Sequence, residues 1–172
     1  MTRPPAPSGT GWHMIAEIDL VRLVADHAAL DRLSDRLEEL ADRLPQRPGP
    51  REAEALCEDL RGRLGQHVVR EERLFAALFT AGPSSPLCHA LLDQIGRRHT
   101  TCLLQAEDVI AALQPDPVEP LLCAEAFGYM LRGFFEGCRQ AMANEELAIV
   151  ALGEARLTPG ARRMLTERIA AG

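Results

Sequence analysis

Three proline-rich breaks govern what this chain can fold into. PQRPGP at 45–50, GPSSP at 82–86 and PDPVEP at 115–120 separate four long segments, none with an internal proline. Proline lacks a backbone donor and clashes with the preceding turn, so helices end at the breaks and can run uninterrupted between them. Within each segment apolar residues recur at three- and four-residue intervals, the spacing of one helix face. The first stripe reads Leu20, Leu23, His27, Leu30, Leu33, Leu37, Leu40, Leu44; the second Ala53, Leu60, Leu64, His67, Glu71, Leu74, Leu78. The third reads Cys88, Leu92, Ile95, His99, Cys102, Ala106, Val109, Leu113; the fourth Phe127, Leu131, Phe134, Cys138, Ala141, Glu145, Ala148, Leu152. No segment shows the two-residue alternation of a strand. Leu157-Thr158-Pro159 opens a short tail helix, with Thr158 suited to cap it and Pro159 to occupy its first position. Short connections between amphipathic helices favour antiparallel neighbours. The expected fold is all-α: an up-down-up-down antiparallel four-helix bundle over 13–172 with a short C-terminal helix. Residues 1–12, rich in Pro, Gly, Ser and Thr, are expected to form a flexible N-terminal arm.

Composition narrows the function. A length of 172 residues suits one domain with a real core. No stretch approaches the roughly 20 apolar residues of a membrane span, and the start has no apolar core of signal-peptide length. A cytoplasmic protein without a membrane partner is expected. The net charge of −6 and the absence of a long basic run argue against nucleic acid; Arg97-Arg98 and Arg162-Arg163 read as solvated helix faces. All 19 basic residues are Arg, which reads as the codon bias of a GC-rich, bacterial-like genome and excludes Schiff-base chemistry on lysine. The 5 cysteines form no CxxC and read as free, mostly buried thiols. There is no HExxH helix, phosphate-binding glycine loop or GxSxG elbow, and none of the histidines has Glu three residues before it.

The informative residues are the polar interruptions of the stripes: His27, His67, Glu71, His99 and Glu145. A carboxylate in a bundle core is costly unless paired with a cation. The chain has no Lys and places no Arg on these stripes, so a metal ion is the economical partner. His27 and His67 lie roughly 20 residues either side of the first break and so share a level at about 1.5 Å per residue. His67 and Glu71, spaced i, i+4, point the same way. His99 fits the same level, whereas Glu145 lies about 13 Å too far from the third break. An overhang of the segment near Leu121–Glu125, or a change of direction at Gly128, would restore it. Imidazole and carboxylate together in a bundle core suit iron best, with manganese or zinc as alternatives. His89 and His13 fall off the stripes. Trp12 reads as packing, as does Tyr129, whose alternative role is a donor behind the metal ligands.

These residues resemble the hemerythrin-like (HHE cation-binding) family from about Ile15 to Ala170. The resemblance is carried by ADHAALDRL around His27, QHVVREERLFAAL around His67 and Glu71, RRHTTCLLQ around His99 and ANEELAIVAL around Glu145. The tail RLTPGARRMLTERI is also similar to the segment after the family's last ligand helix. The resemblance implies a non-haem di-iron centre that binds a small ligand such as O₂ or NO, or senses redox state or iron, and is more a binding module than an enzyme. By matching position His27, His67 and His99 would be terminal ligands, and Glu71 and Glu145 bridges. A homodimer or a regulatory protein partner is compatible with such a bundle. One departure stands out: the histidine expected four residues before the last carboxylate is Ala141, and position 103, where oxygen carriers have another, is Leu. The metal near His99 is thus short of ligands. An open position, a mononuclear site, a different transition metal or a metal-free regulatory bundle are the alternative outcomes. Ala141 also leaves space beside Cys138 and Cys102, which fall at a similar height and read as core thiols or as a redox pair.

Overall fold

The computed structural model describes residues 10–79, 86–114, 122–153 and 157–171. The elements are α1 (Thr10–Asp42), α2 (Pro50–Asp59), a π-helical turn (Leu60–Leu64), α3 (Gly65–Phe79), α4 (Pro86–Leu113), α5 (Ala124–Gly153) and α6 (Pro159–Ala171). Among the described residues there is no strand, and no helix is long and apolar enough to cross a membrane. The breaks fall as the prolines dictate. Pro50 starts α2 with Gly49 as its extended N-cap residue, and Pro86 starts α4. Thr158 caps α6, its hydroxyl accepting from the Ala161 amide at 3.1 Å. Helix α1 starts at Thr10, inside the expected arm; residues 1–9, 80–85 and 115–121 lie outside the described residues, as do the side chains of Trp12 and His13.

Cross-helix contacts give the directions. Asp26 pairs with Arg70 at 2.6 Å and Arg36 with Asp59, so numbers rise along α1 as they fall along the second helix. Asp42 pairs with Arg132 and Asp35 with Arg139, each at 2.8 Å, so α1 and α5 are antiparallel too. Exposed pairs of this kind contribute about 1 kcal/mol or less, so they mark the register more than they hold it. The burial of the stripes holds it. Every stripe residue is buried except Leu44, Cys88, Leu92 and Leu152, which are partly so. A fully buried Leu or Phe is stabilised by about 1.5–3 kcal/mol relative to an exposed one.

The apolar interior has two parts. One gathers Leu30, Leu37, Leu60, Val109, Phe127 and Phe135; the other gathers Leu20, Leu23, Leu74, Phe75, Ile149 and, from α6, Leu157 and Leu165. The stripes' polar residues lie between these two parts in sequence, and α6 closes the second.

Two features depart from the simplest reading. The second segment is not one continuous α-helix: Leu60–Leu64 winds as a π-helical turn just before His67. Gly62 and Gly65, both poor helix formers with open space at their Cβ positions, accompany the wider turn, while Leu60 and Leu64 stay buried. Second, α5 does not turn at Gly128. It continues through that residue without a break, and its first turns pack beside the residues that follow α1. The Arg47 guanidinium lies 4.3 Å from the Phe127 ring centroid, and a Cβ on Gly128 would meet Leu44 at 3.2 Å.

Candidate metal centre

Each polar stripe residue is placed by the helix that carries it. His27 comes from α1, His67 and Glu71 from successive turns of α3, His99 from α4 and Glu145 from α5. All five are essentially buried, with Glu71 and His27 fully so. One ligand atom each of His27, His67, Glu71 and Glu145 lie within 4.8 Å of one another. His99 joins them through its Nε2, 2.6 Å from Glu71 Oε2 and 3.1 Å from Glu145 Oε1. The His27 and His67 rings meet edge-on with centroids 5.0 Å apart, and His67 and His99 with centroids 5.8 Å apart. The structure thus brings together all five residues picked from the stripes.

The facing atoms are specific. Glu145 Oε2 lies 3.4 Å from His27 Nε2 and 3.7 Å from His67 Nε2, while Glu145 Oε1 faces His99. One carboxylate therefore offers an oxygen to each side. Glu71 Oε2 stands between His67 Nε2, at 3.4 Å, and His99 Nε2. Several of these atoms, including His27 Nε2, Glu71 Oε1 and Glu145 Oε2, are buried without a hydrogen-bond partner. A buried polar atom left unpaired costs about 1–3 kcal/mol, and several aimed at one point call for a cation. The donor set of imidazole nitrogens and carboxylate oxygens fits a transition metal.

Electrostatics agree. Burial disfavours charge on His27, but the nearby carboxylates of Glu145 and Glu146 outweigh it and raise the imidazole to about 9. His99 is raised to about 10, again against burial, by Glu145 and Glu71. Burial lowers His67 to about 4. Burial lifts Glu71 to about 7, whereas for Glu145 the neighbouring imidazoles of His27 and His99 overcome burial and hold it down to about 2. Without a metal, protons on His27 and His99 neutralise the carboxylates; a cation does the same work and displaces them.

Sequence reasoning missed Glu146. It is buried, and its Oε1 lies 2.6 Å from His27 Nδ1 and accepts from Arg168 Nε at 2.5 Å. Accepting a hydrogen from Nδ1 leaves His27 Nε2 free to face the cluster, the arrangement that orients and strengthens a ligating imidazole. Arg168 reaches from α6 and also bonds Asp31 at 2.8 Å, tying α6 to α1 and α5 behind the site. The missed signal was a second stripe on α5: Phe135, Met142, Glu146 and Ile149 are all buried beside the first. Tyr129 is 83% exposed and takes no part; His89 is exposed as well. Ala141 lines a cleft of about 370 Å³ between α4 and α5, with Arg98, Asn144 and Glu145 among its walls, where the expected histidine would have projected.

No curated protein and no solved structure matches the chain. A family model does: the hemerythrin HHE cation-binding domain, over residues 19–152. The match spans all four segments and every stripe histidine and glutamate, and stops short of the tail helix. With a cation-binding domain model covering well over half of the sequence, and a buried histidine–glutamate group able to hold a metal at its centre, the chain belongs to the hemerythrin HHE family.

Proposed function

We propose that the cluster holds non-haem iron, with two metal positions, and serves to bind or sense a small ligand such as O₂ or NO, or the redox or iron state. The observation that carries this reading is the split of Glu145, one oxygen towards His27 and His67 and the other towards His99. His27 and His67 would hold one metal and His99 the other, with Glu71 and Glu145 between them. Iron there supplies reversible redox change and affinity for diatomic ligands. The chain's own residues do the rest. The two apolar clusters exclude bulk water, Glu146 fixes the His27 ring, and the cleft beside Ala141 would bring a small molecule to Glu145, which lines it.

The position of Ala141 makes His99 the one histidine of α4 and α5 in the cluster, so the second metal position is the more open. That favours ligand binding or sensing on this side. The test is anaerobic iron loading followed by addition of NO or O₂. The expected result is a ligand-dependent change in visible absorption that His67→Ala abolishes. A folded protein that takes up iron but shows no change with either ligand contradicts the ligand-binding reading. One that takes up no iron favours a regulatory bundle acting through a protein partner or as a dimer.

A further inference from the structure

Cys102 and Cys138 have no part in the reading above. They are buried free thiols on α4 and α5, in one apolar cluster, and their sulfurs are within hydrogen-bonding reach of each other. Cys102 lies one turn after His99 on α4, and Cys138 two turns before Glu145 on α5. Residue 137, next to Cys138, is a glycine whose missing side chain leaves room for the Arg98 guanidinium. A Cβ there would lie 2.9 Å from Arg98 Nη2, which instead donates to the Gly137 carbonyl at 3.0 Å. Arg98 also borders the cleft beside Ala141, and so stands between that cleft and the backbone next to Cys138.

We propose that Cys102 and Cys138 are a dithiol site that a hydroperoxide converts to a disulfide joining α4 to α5. The reaction balances in two steps. The Cys102 thiolate attacks one peroxide oxygen; the S–O bond forms, the O–O bond breaks, and hydroxide leaves to take up a proton. The Cys138 sulfur then attacks the sulfenic sulfur; the S–S bond forms, the S–O bond breaks, and the departing oxygen leaves as water with the Cys138 proton. Two thiols lose two electrons, and hydrogen peroxide becomes two waters.

The two sulfurs are suited to different steps. The hydrogen bond from Cys138 outweighs burial and, with the charge of Arg98, lowers Cys102 to about 7, into the range of reactive thiols. The same bond, together with burial, pushes Cys138 up, so it stays protonated until the first step is complete. The inference does not depend on the metal reading, since neither step involves the histidine–glutamate cluster.

The test uses the full-length chain carrying Cys123→Ser, a change at an exposed position that leaves Cys102 as the one thiol on the Arg-bounded peptide 99–132. The protein is treated with a few equivalents of hydrogen peroxide, then denatured, alkylated and cleaved after arginine. Titratable thiols should fall from four to two, from the 5 cysteines less Cys123, and peptides 99–132 and 133–139 should appear as one reducible species. In Cys138→Ala that species should vanish and dimedone should label Cys102. Recovery of both peptides fully alkylated, or pairing of Cys138 with Cys57 or Cys88, would overturn the proposal. So would absence of the dimedone adduct from a folded Cys138→Ala protein.

Discussion

At the residue scale the weight rests on a few buried polar side chains whose hydrogen-bonding needs the protein leaves unmet. His27 Nε2 and Glu145 Oε2 face each other at 3.4 Å without a bond, as two ligands of one cation do. Removing one imidazole should therefore remove metal more than stability: His67→Ala is expected to lose bound iron as measured by elemental analysis while keeping its helical circular dichroism. Retention of full metal content in that variant would detach His67 from the site. Glu146 acts one step back. Glu146→Gln keeps an acceptor for His27 Nδ1 but removes the charge that favours the polarised ring, and it should weaken metal retention about 10- to 100-fold against a competing chelator. An unchanged chelator midpoint would reduce Glu146 to packing. Single residues were also the most legible part of the sequence. His27, His67, Glu71, His99 and Glu145 stood out because a helix stripe is otherwise apolar, and the cost of burying charge made a cation the expected partner. Glu146 was not legible, because α5 packs on both α1 and α4 and so carries a second inward stripe that a one-face reading treats as surface.

At the scale of elements, the four helices and the tail follow from where proline falls, and their directions from the short links between them. What proline could not reveal is how a helix winds between breaks. The π-helical turn at Leu60–Leu64 leaves the stripe residues buried and so hides from a count of apolar spacings. At α5 a mismatch in residue count was legible, but Gly128 suggested a bend only because glycine often marks one. Here it makes room for Leu44 in an unbroken helix. The tail helix is more than a terminus, since Leu165 is fully buried against Leu20 and Ile149 and Arg168 holds Glu146. Leu165→Ala should cost about 2–5 kcal/mol in urea unfolding, the range for a Leu removed from a packed core. A loss below about 1 kcal/mol would mean that α6 is only loosely docked. On α5, Ala141→His restores an i, i+4 pair with Glu145 beside the cleft. It should slow the loss of metal to a chelator, and a faster loss would show that the space serves something other than a ligand.

For the whole molecule, the metal-free protein must balance its buried carboxylates with protons, and that gives its stability a pH dependence. His27 and His99 are raised from 6.5 to about 9 and about 10. A raised imidazole contributes stability that is complete below its unfolded value and is lost as pH rises through its folded value. The urea midpoint of the metal-free protein should therefore fall between pH 7 and pH 10. The metal-loaded protein, whose ligating imidazoles are neutral, should be nearly flat over the same window. Equal slopes for the two forms would mean that metal does not replace those protons. The same balance explains why the bundle can keep a charged layer between two apolar clusters: the layer is stable only when its charges are compensated.

The most direct test of this account is metal stoichiometry, by elemental analysis of untagged protein after anaerobic iron loading, with a near-ultraviolet spectrum of the same sample. The account predicts two irons per chain with absorption typical of an oxo-bridged pair. No bound metal after loading, in a protein that remains folded, would contradict it.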